Sequence, residues 1–330
     1  MKILVANRTL SLLAGSETYM LTLATELVNL GHEVSAYGTE LGFIATQLEA
    51  IGVKCFDKIE TEGQKQIAPF DPYLKPKAGN FDVIICAHHE VTKYLHQQLP
   101  EVPIIGIVHG ILHKSPEGKI WPEHPVTDFD VKYVAASEEI QRKLKDDHNL
   151  ESVIIRNFFN LDKFKKEGEL RAKPEIFLVN SNYWGPQDEI TKIIKEVANN
   201  YGAQVHGVGA HFQPSYEMEA IIKDVDVVFG MGRSVLEGAC MGKLAVIHGR
   251  WGTGGVLTPR SYERLKLTNF SGREFDPNAD TKLEPANQII ENIDAVYNQE
   301  TVDAIYEIIE KHHNVATAAK QFVEIAQSLI

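Results

Sequence analysis

Short apolar runs alternate with segments of helical spacing along this chain. Lys2–Asn7 reads as a buried strand. In Ser16–Leu30 the residues Tyr19, Met20, Leu23, Leu27 and Leu30 recur at helical spacing, and Gly31 supplies a stop. Glu33–Tyr37 is the next expected strand, Ile44–Ala50 a helix and Val53–Phe56 a short strand. Residues 57–80 are polar and rich in Pro, Lys and Gly, a loop of a length usually tied to function. Strands resume at Asp82–Cys86, Pro103–Val108 and Val131–Ala135. A helix follows over Ser137–Asp147, with Ser137 as its cap and Glu138 and Glu139 in its first turn.

The pattern restarts after a charged segment, Lys163–Pro174. Strands are expected at Glu175–Asn180, Ala203–Val208, Val225–Phe229 and Leu244–His248. Helices are expected near Asp188–Asn200, Ser215–Lys223 and Arg233–Met241. This alternation predicts an α/β protein with parallel sheets in both halves. Residues 284–330 read as mostly helical. Ile305, Ile308, Val315, Ala318, Phe322, Ile325 and Leu329 make an apolar face that needs a partner.

Composition narrows the function classes. A chain of 330 residues is long enough for two domains with separate cores. The formal net charge is −12 and both halves are acidic, which argues against a nucleic-acid partner. The sequence has no run of 18 apolar residues, so no transmembrane segment is expected. Lys2–Asn7 is too short for a signal-peptide core and is followed by Arg8, and a cytoplasmic location is expected. Cys55, Cys86 and Cys240 lie far apart in apolar surroundings and read as core residues.

The most informative stretch is Asp226–Ile247, in which an apolar run ends in Gly230-Met231-Gly232 and a helix opens at Arg233 and carries Ser234 and Glu237. The N–H groups at such a helix start favour an anion, and in a doubly wound sheet ligands bind beside such a turn. The segment resembles the donor-site signature of family 4 glycosyltransferases, which have the GT-B fold. Further matches are Leu13-Ala14-Gly15-Ser16-Glu17-Thr18, Gly31-His32-Glu33-Val34, the Ser137 region, and Ile155 to Phe164. The resemblance runs from about residue 1 to about residue 248.

The resemblance implies two Rossmann-like domains with parallel sheets facing a central cleft. An acceptor-side domain would span residues 1–168 and a nucleotide-sugar donor domain residues 169–314. Residues 315–330 would form a final helix that crosses back to the first domain, making a second hinge beside Lys163–Pro174. The implied activity is transfer of a hexose from a nucleotide sugar to an acceptor hydroxyl, with retention of configuration. No cofactor and no metal are implied, because glycine loops, helix ends and basic side chains stabilise the departing diphosphate. Asp224-Val225-Asp226, the one close match to a metal-holding Asp-x-Asp, precedes a strand at the end away from the expected site. The related readings on the same fold are a sugar-nucleotide epimerase or hydrolase, and a catalytically degenerate protein that binds a nucleotide sugar or a partner.

Glu237 matches the second glutamate of the family's E-x7-E motif, which holds the ribose. Its alternative is a helix-dipole glutamate. Phe229 stands where the first glutamate is expected. The loop Asn180–Asp188 holds Asn182, a donor-side candidate, but lacks the family's Arg and Lys. Arg233 is then the leading diphosphate clamp, with Arg8 and Arg250 as alternatives, against the plainer reading of Arg233 as a salt-bridge residue. Gly15 is read as allowing close approach to the diphosphate or as a turn glycine. His109 matches a histidine that faces the reacting sugar, or serves in a loop network. His88 and His89 are acceptor-side candidates without zinc spacing, and His113 and His124 are weaker ones. Tyr183 and Trp184 either stack on a base or sugar or pack between domains. Asn269-Phe270-Ser271-Gly272-Arg273 has no assigned role.

Overall fold

The computed structural model describes residues 1–11, 14–58, 81–110, 125–276 and 282–330. Most of the long polar segment, Leu13, His113 and His124 lie outside these residues. The chain divides into two compact units, Met1–Arg156 with Val315–Ile330, and Asn157–Asn314. The division falls at residue 156 rather than 168. Phe159 and Phe164 are built into the second unit's core, and the Phe159 N–H donates to the His313 carbonyl at 2.8 Å.

The first unit is a seven-stranded sheet made of β1 (Lys2–Ala6), β2 (Glu33–Tyr37), β3 (Lys54–Phe56), β4 (Val83–Ala87), β5 (Ile104–Val108), β6 (Lys132–Ala135) and β7 (Ser152–Ile154). Its order is β3-β2-β1-β4-β5-β6-β7, and every pairing is parallel. β1, β4 and β5 are almost wholly apolar, as strands covered on both faces must be. The helices are α1 (Gly15–Asn29), α2 (Phe43–Ala50), α3 (His89–Gln98) and α4 (Glu138–His148). The Ser137 hydroxyl caps α4 by accepting the Ile140 N–H. After β1 the chain runs outward through β2 and β3, then returns to place β4 on the other side of β1. That reversal makes the β1/β4 carboxyl ends a switch point.

The second unit has β8 (Ile176–Asn180), β9 (Gln204–Val208), β10 (Val227–Gly230), β11 (Leu244–Gly249) and β12 (Gly252–Val256), in the order β12-β11-β10-β8-β9. Its helices are α5 (Glu189–Tyr201), α6 (Met218–Lys223), α7 (Arg233–Cys240), α8 (Pro259–Leu265), α9 (Ala286–Asp294) and α10 (Gln299–His312). One expectation is corrected here: β12 pairs antiparallel to β11, so this sheet is not wholly parallel. A short connection permits a hairpin but not a crossover. The switch point lies between β8 and β10.

The last helix, α11 (Val315–Gln327), belongs to the first unit and packs on α1. Its buried residues are Val315, Ala318, Ala319, Phe322 and Ala326, whereas Leu329 is exposed. Small alanines, which sequence periodicity underweights, make much of the contact face. Among the described residues no helix is long and apolar enough to cross a membrane.

Candidate functional site

In the second unit the switch point brings Gly230 opposite Asn180 in the β8/β10 register. The loop Gly230–Gly232 then delivers the chain into α7. Gly232 has φ 57°, a conformation that favours glycine. Its N–H donates to the Phe270 carbonyl at 2.8 Å, and the Ser234 N–H reaches Met231 O at 3.2 Å. Two donors of the expected anion-binding turn are thus already committed to the protein.

Glu237 sits one turn into α7 and is buried. Its Oε1 accepts from Arg233 Nε at 3.0 Å and its Oε2 from Asn180 Nδ2 at 3.5 Å. Burial pushes the carboxyl above the usual range, while Arg233 and Asn180 pull it down. Arg233 also donates to the Phe158 carbonyl at 3.1 Å and lies 4.5 Å from the Phe159 ring centre. The guanidinium is therefore engaged by the protein on three sides, as the salt-bridge reading holds.

The other loops at this edge are equally specified. Asn182 Oδ1 accepts the Ala210 N–H at 2.9 Å, tying the β8 loop to the β9 loop. Gly209 is required between them: a Cβ there would lie 1.8 Å from the Ser181 carbonyl oxygen. Met231 and Trp184 both pack on Gly249. Trp184 is buried, whereas Tyr183 is 69% exposed. Phe229 points into the core, 5.5 Å from the Phe177 ring and 6.5 Å from His248, away from the loops. Asn269 and Phe270 are both left-handed (φ 53° and 54°), and this strained pair is what aims the Phe270 carbonyl at Gly232. The Asn269–Arg273 motif is thus a wall of the glycine loop. A groove of about 440 Å³ also runs along β9, lined by residues such as His206, Gln213, Pro214 and Ile221, none of them singled out from sequence.

Asp226 lies at the opposite, amino end of β10. Both its oxygens accept from Arg171, at 2.8 and 2.9 Å, and Oδ2 also takes the Glu175 and Ile176 N–H groups. Among the described residues no group of His, Cys, Asp and Glu is arranged to hold a metal.

In the first unit, the structure places His88 between β4 and α3, with Nε2 3.4 Å from Ser16 Oγ. Burial, with Arg8 and His89 nearby, lowers its pKa to about 4, against the pull of Glu90. His89 Nδ1 lies 3.4 Å from Glu90. His109 follows β5, its ring edge-on to Tyr19 at 4.5 Å. Gly15 opens α1, and the space over its Cα is open. The sequence reading missed Asn7, Ser16 and Glu17, which join His88 in one polar cluster. The available signal was a polar Asn ending an apolar strand, followed by Ser-Glu at a helix start.

No protein-family model and no curated protein sequence matches the chain. Solved structures do. HepE from Anabaena, in complex with UDP and glucose, superposes with a TM-score of 0.63 at 15% identity, covering 99% of this chain and 100% of that one. A putative UDP-N-acetylglucosamine 2-epimerase from Listeria monocytogenes gives 0.57 at 12% identity over 99% and 96% of the two chains. AviGT4, a glycosyltransferase involved in avilamycin A biosynthesis, gives 0.55 at 11% identity over 100% and 98%. Identities this low speak to architecture, and the architecture they share with this chain, two Rossmann-like units each with a ligand-type switch point, is the GT-B fold.

Proposed function

We propose that this protein transfers a sugar from a nucleotide-sugar donor to an acceptor hydroxyl, with the donor nucleotide held at the β8/β10 switch point. The observation that carries the reading is Glu237, a buried carboxylate one turn behind Gly230–Gly232, facing Asn180 across the switch point. Its Oε2 holds only a long contact to Asn180 among the described residues, so that oxygen is the natural acceptor for a ribose hydroxyl. Donor phosphates fit the start of α7. Arg233 serves them only by exchanging its Glu237 partner, so Arg250 stays a clamp candidate. In the first unit His109, Gly15, His88 and His89 form the acceptor side of this reading. Retention of configuration and a hexosyl donor follow from the family resemblance. Two structural neighbours support the donor class, HepE with UDP-glucose bound and the glycosyltransferase AviGT4.

A panel of UDP-, GDP- and ADP-sugars, offered with simple glycoside acceptors, tests the proposal. Donor binding that is lost in Glu237→Gln, together with a glycosylated product, is the expected result. Absence of binding to every donor overturns it. A second reading, epimerisation or hydrolysis of the donor, is favoured by the Listeria neighbour, and a released or isomerised sugar with no acceptor product identifies it. Phe229, buried in the core where the family has a glutamate, favours a third, non-catalytic binder. Binding without any turnover identifies that one.

A further inference from the structure

Hydrogen-bond directions at the β1/β4 switch point of the first unit are forced by one carboxylate. Glu17 is buried and accepts from Thr9 Oγ1 at 3.1 Å and from Ser16 Oγ at 2.8 Å. A carboxylate only accepts, so the single Ser16 proton goes to Glu17. Ser16 Oγ is then left to accept, and His88 Nε2 at 3.4 Å must be the donor. A neutral imidazole carries one N–H, so His88 Nδ1 bears the lone pair. The Asn7 amide nitrogen faces Thr9 O at 3.3 Å and Ser16 Oγ at 3.5 Å, which turns its Oδ1 the other way.

Asn7 Oδ1 and His88 Nδ1 are both buried, and neither has a hydrogen-bond partner among the described residues. Asn7 itself is 0% exposed. Two orphaned acceptors converge on one serine at a ligand-type switch point, and His88 is held there with φ 71°. A strained backbone maintained beside unmet polar atoms is a mark of a binding site. The charged and titratable neighbours are Arg8, Glu17, His89 and Glu90. A cavity of about 10 Å³ lined by His88, Thr92, Gly106 and Tyr133 has room for one water at most.

We infer that Asn7 Oδ1 and His88 Nδ1 receive two hydroxyl protons of a neutral, sugar-like acceptor, so that the acceptor presents a polyol rather than a carboxylate or phosphate. This rests on the sugar-transfer reading for its consequence, though not for its geometry. Two lone pairs ask for two donors, which neighbouring hydroxyls on one ring supply and an anion does not. With a pKa of about 4 the ring stays neutral and orients a hydroxyl instead of taking its proton at neutral pH.

Two measurements test it. Nitrogen-15 histidine NMR on the full chain reads the tautomer directly. The Nε2–H form is expected for His88, with its Nδ1 resonance moving when methyl glycosides are titrated in. An Nδ1–H tautomer, or no response to any methyl glycoside, overturns the inference and leaves ordered water as the occupant. Kinetically, His88→Gln keeps an Nε2-like donor to Ser16 and deletes the Nδ1 lone pair. The glycoside KM should rise about tenfold, the worth of one hydrogen bond, and Asn7→Leu should act in the same direction. A KM within about twofold of the parent for every glycoside in both variants overturns it too. Because the NMR titration needs no donor, a failure of sugar transfer leaves this result readable on its own.

Discussion

Arg233 Nε lies 3.0 Å from Glu237 Oε1, four residues on along α7, and both side chains are little exposed, at 13% and 11%. The pair is pinned from outside the helix by the Phe158 carbonyl and the Phe159 ring. The residue best placed to hold a ribose is therefore also half of a structural ion pair. Binding and stability are coupled at this position.

Removing either partner leaves a buried charge unpaired, which costs about 3–5 kcal/mol. Glu237→Ala and Arg233→Ala should each lower the unfolding free energy by roughly that amount. The double variant Arg233→Met/Glu237→Leu should recover most of the loss, because well-packed apolar side chains replace the pair. Urea denaturation of the four proteins gives the coupling. Additive single effects would show that the two residues act separately.

Asp226 organises the amino ends of β8 and β10 through Arg171 and two backbone N–H groups. Asp226→Ala should cost about 2–3 kcal/mol, because it orphans those donors. Its lone pairs are occupied by the protein, so turnover should survive EDTA. Loss of activity with EDTA that Mg²⁺ or Mn²⁺ restores would refute the metal-free reading.

Two buried histidines make stability pH-dependent. His248 is 0% exposed and its Nδ1 lies 2.7 Å from Thr253 Oγ1. Burial lowers its pKa to about 4 from an ordinary 6.5, and His88 is shifted likewise. Between those pH values the unfolded chain binds more protons, so stability rises with pH. The contribution is complete above pH 6.5 and is lost as pH falls towards 4. For His248 that is about 3 kcal/mol. His248→Asn should flatten the slope measured by denaturation between the two pH values, and an unchanged slope would rule this cause out.

Phe322 is fully buried on α11, which packs on α1 across the longest sequence separation in the first unit. Phe322→Ala should cost about 3–5 kcal/mol. The loss should fall on the first unit, so hydrogen exchange should rise in β1, α1 and α11 and stay near its original level in β10 and α7. Uniform exchange across both units would mean that they unfold together.

Apolar periodicity determined much of the secondary structure. Glu33–Tyr37 is a strand over the expected residues, α1 and α7 start within a residue of the sequence reading, and Ser137 caps α4. These features depend on local patterning, where each face must match one environment. α3 was missed because its polar sequence buries only Val91, Thr92 and Leu95, and β12 because Gly252–Val256 holds three glycines and gets its strand geometry from β11. Arg233 and Glu237 stand at helical i,i+4 spacing in the bare sequence, but only Phe158 and Phe159, brought up by folding, decide that the guanidinium faces protein. The cluster of Asn7, Ser16 and His88 shows the same limit more sharply. His88 is 72 residues from Ser16, and the two meet because the chain returns to lay β4 beside β1. Local pattern carries the elements, since backbone and side-chain preferences act over a few residues. Which polar atoms meet, and which are left wanting a partner, depends on long-range strand order, and that is settled only when the whole sheet is assembled.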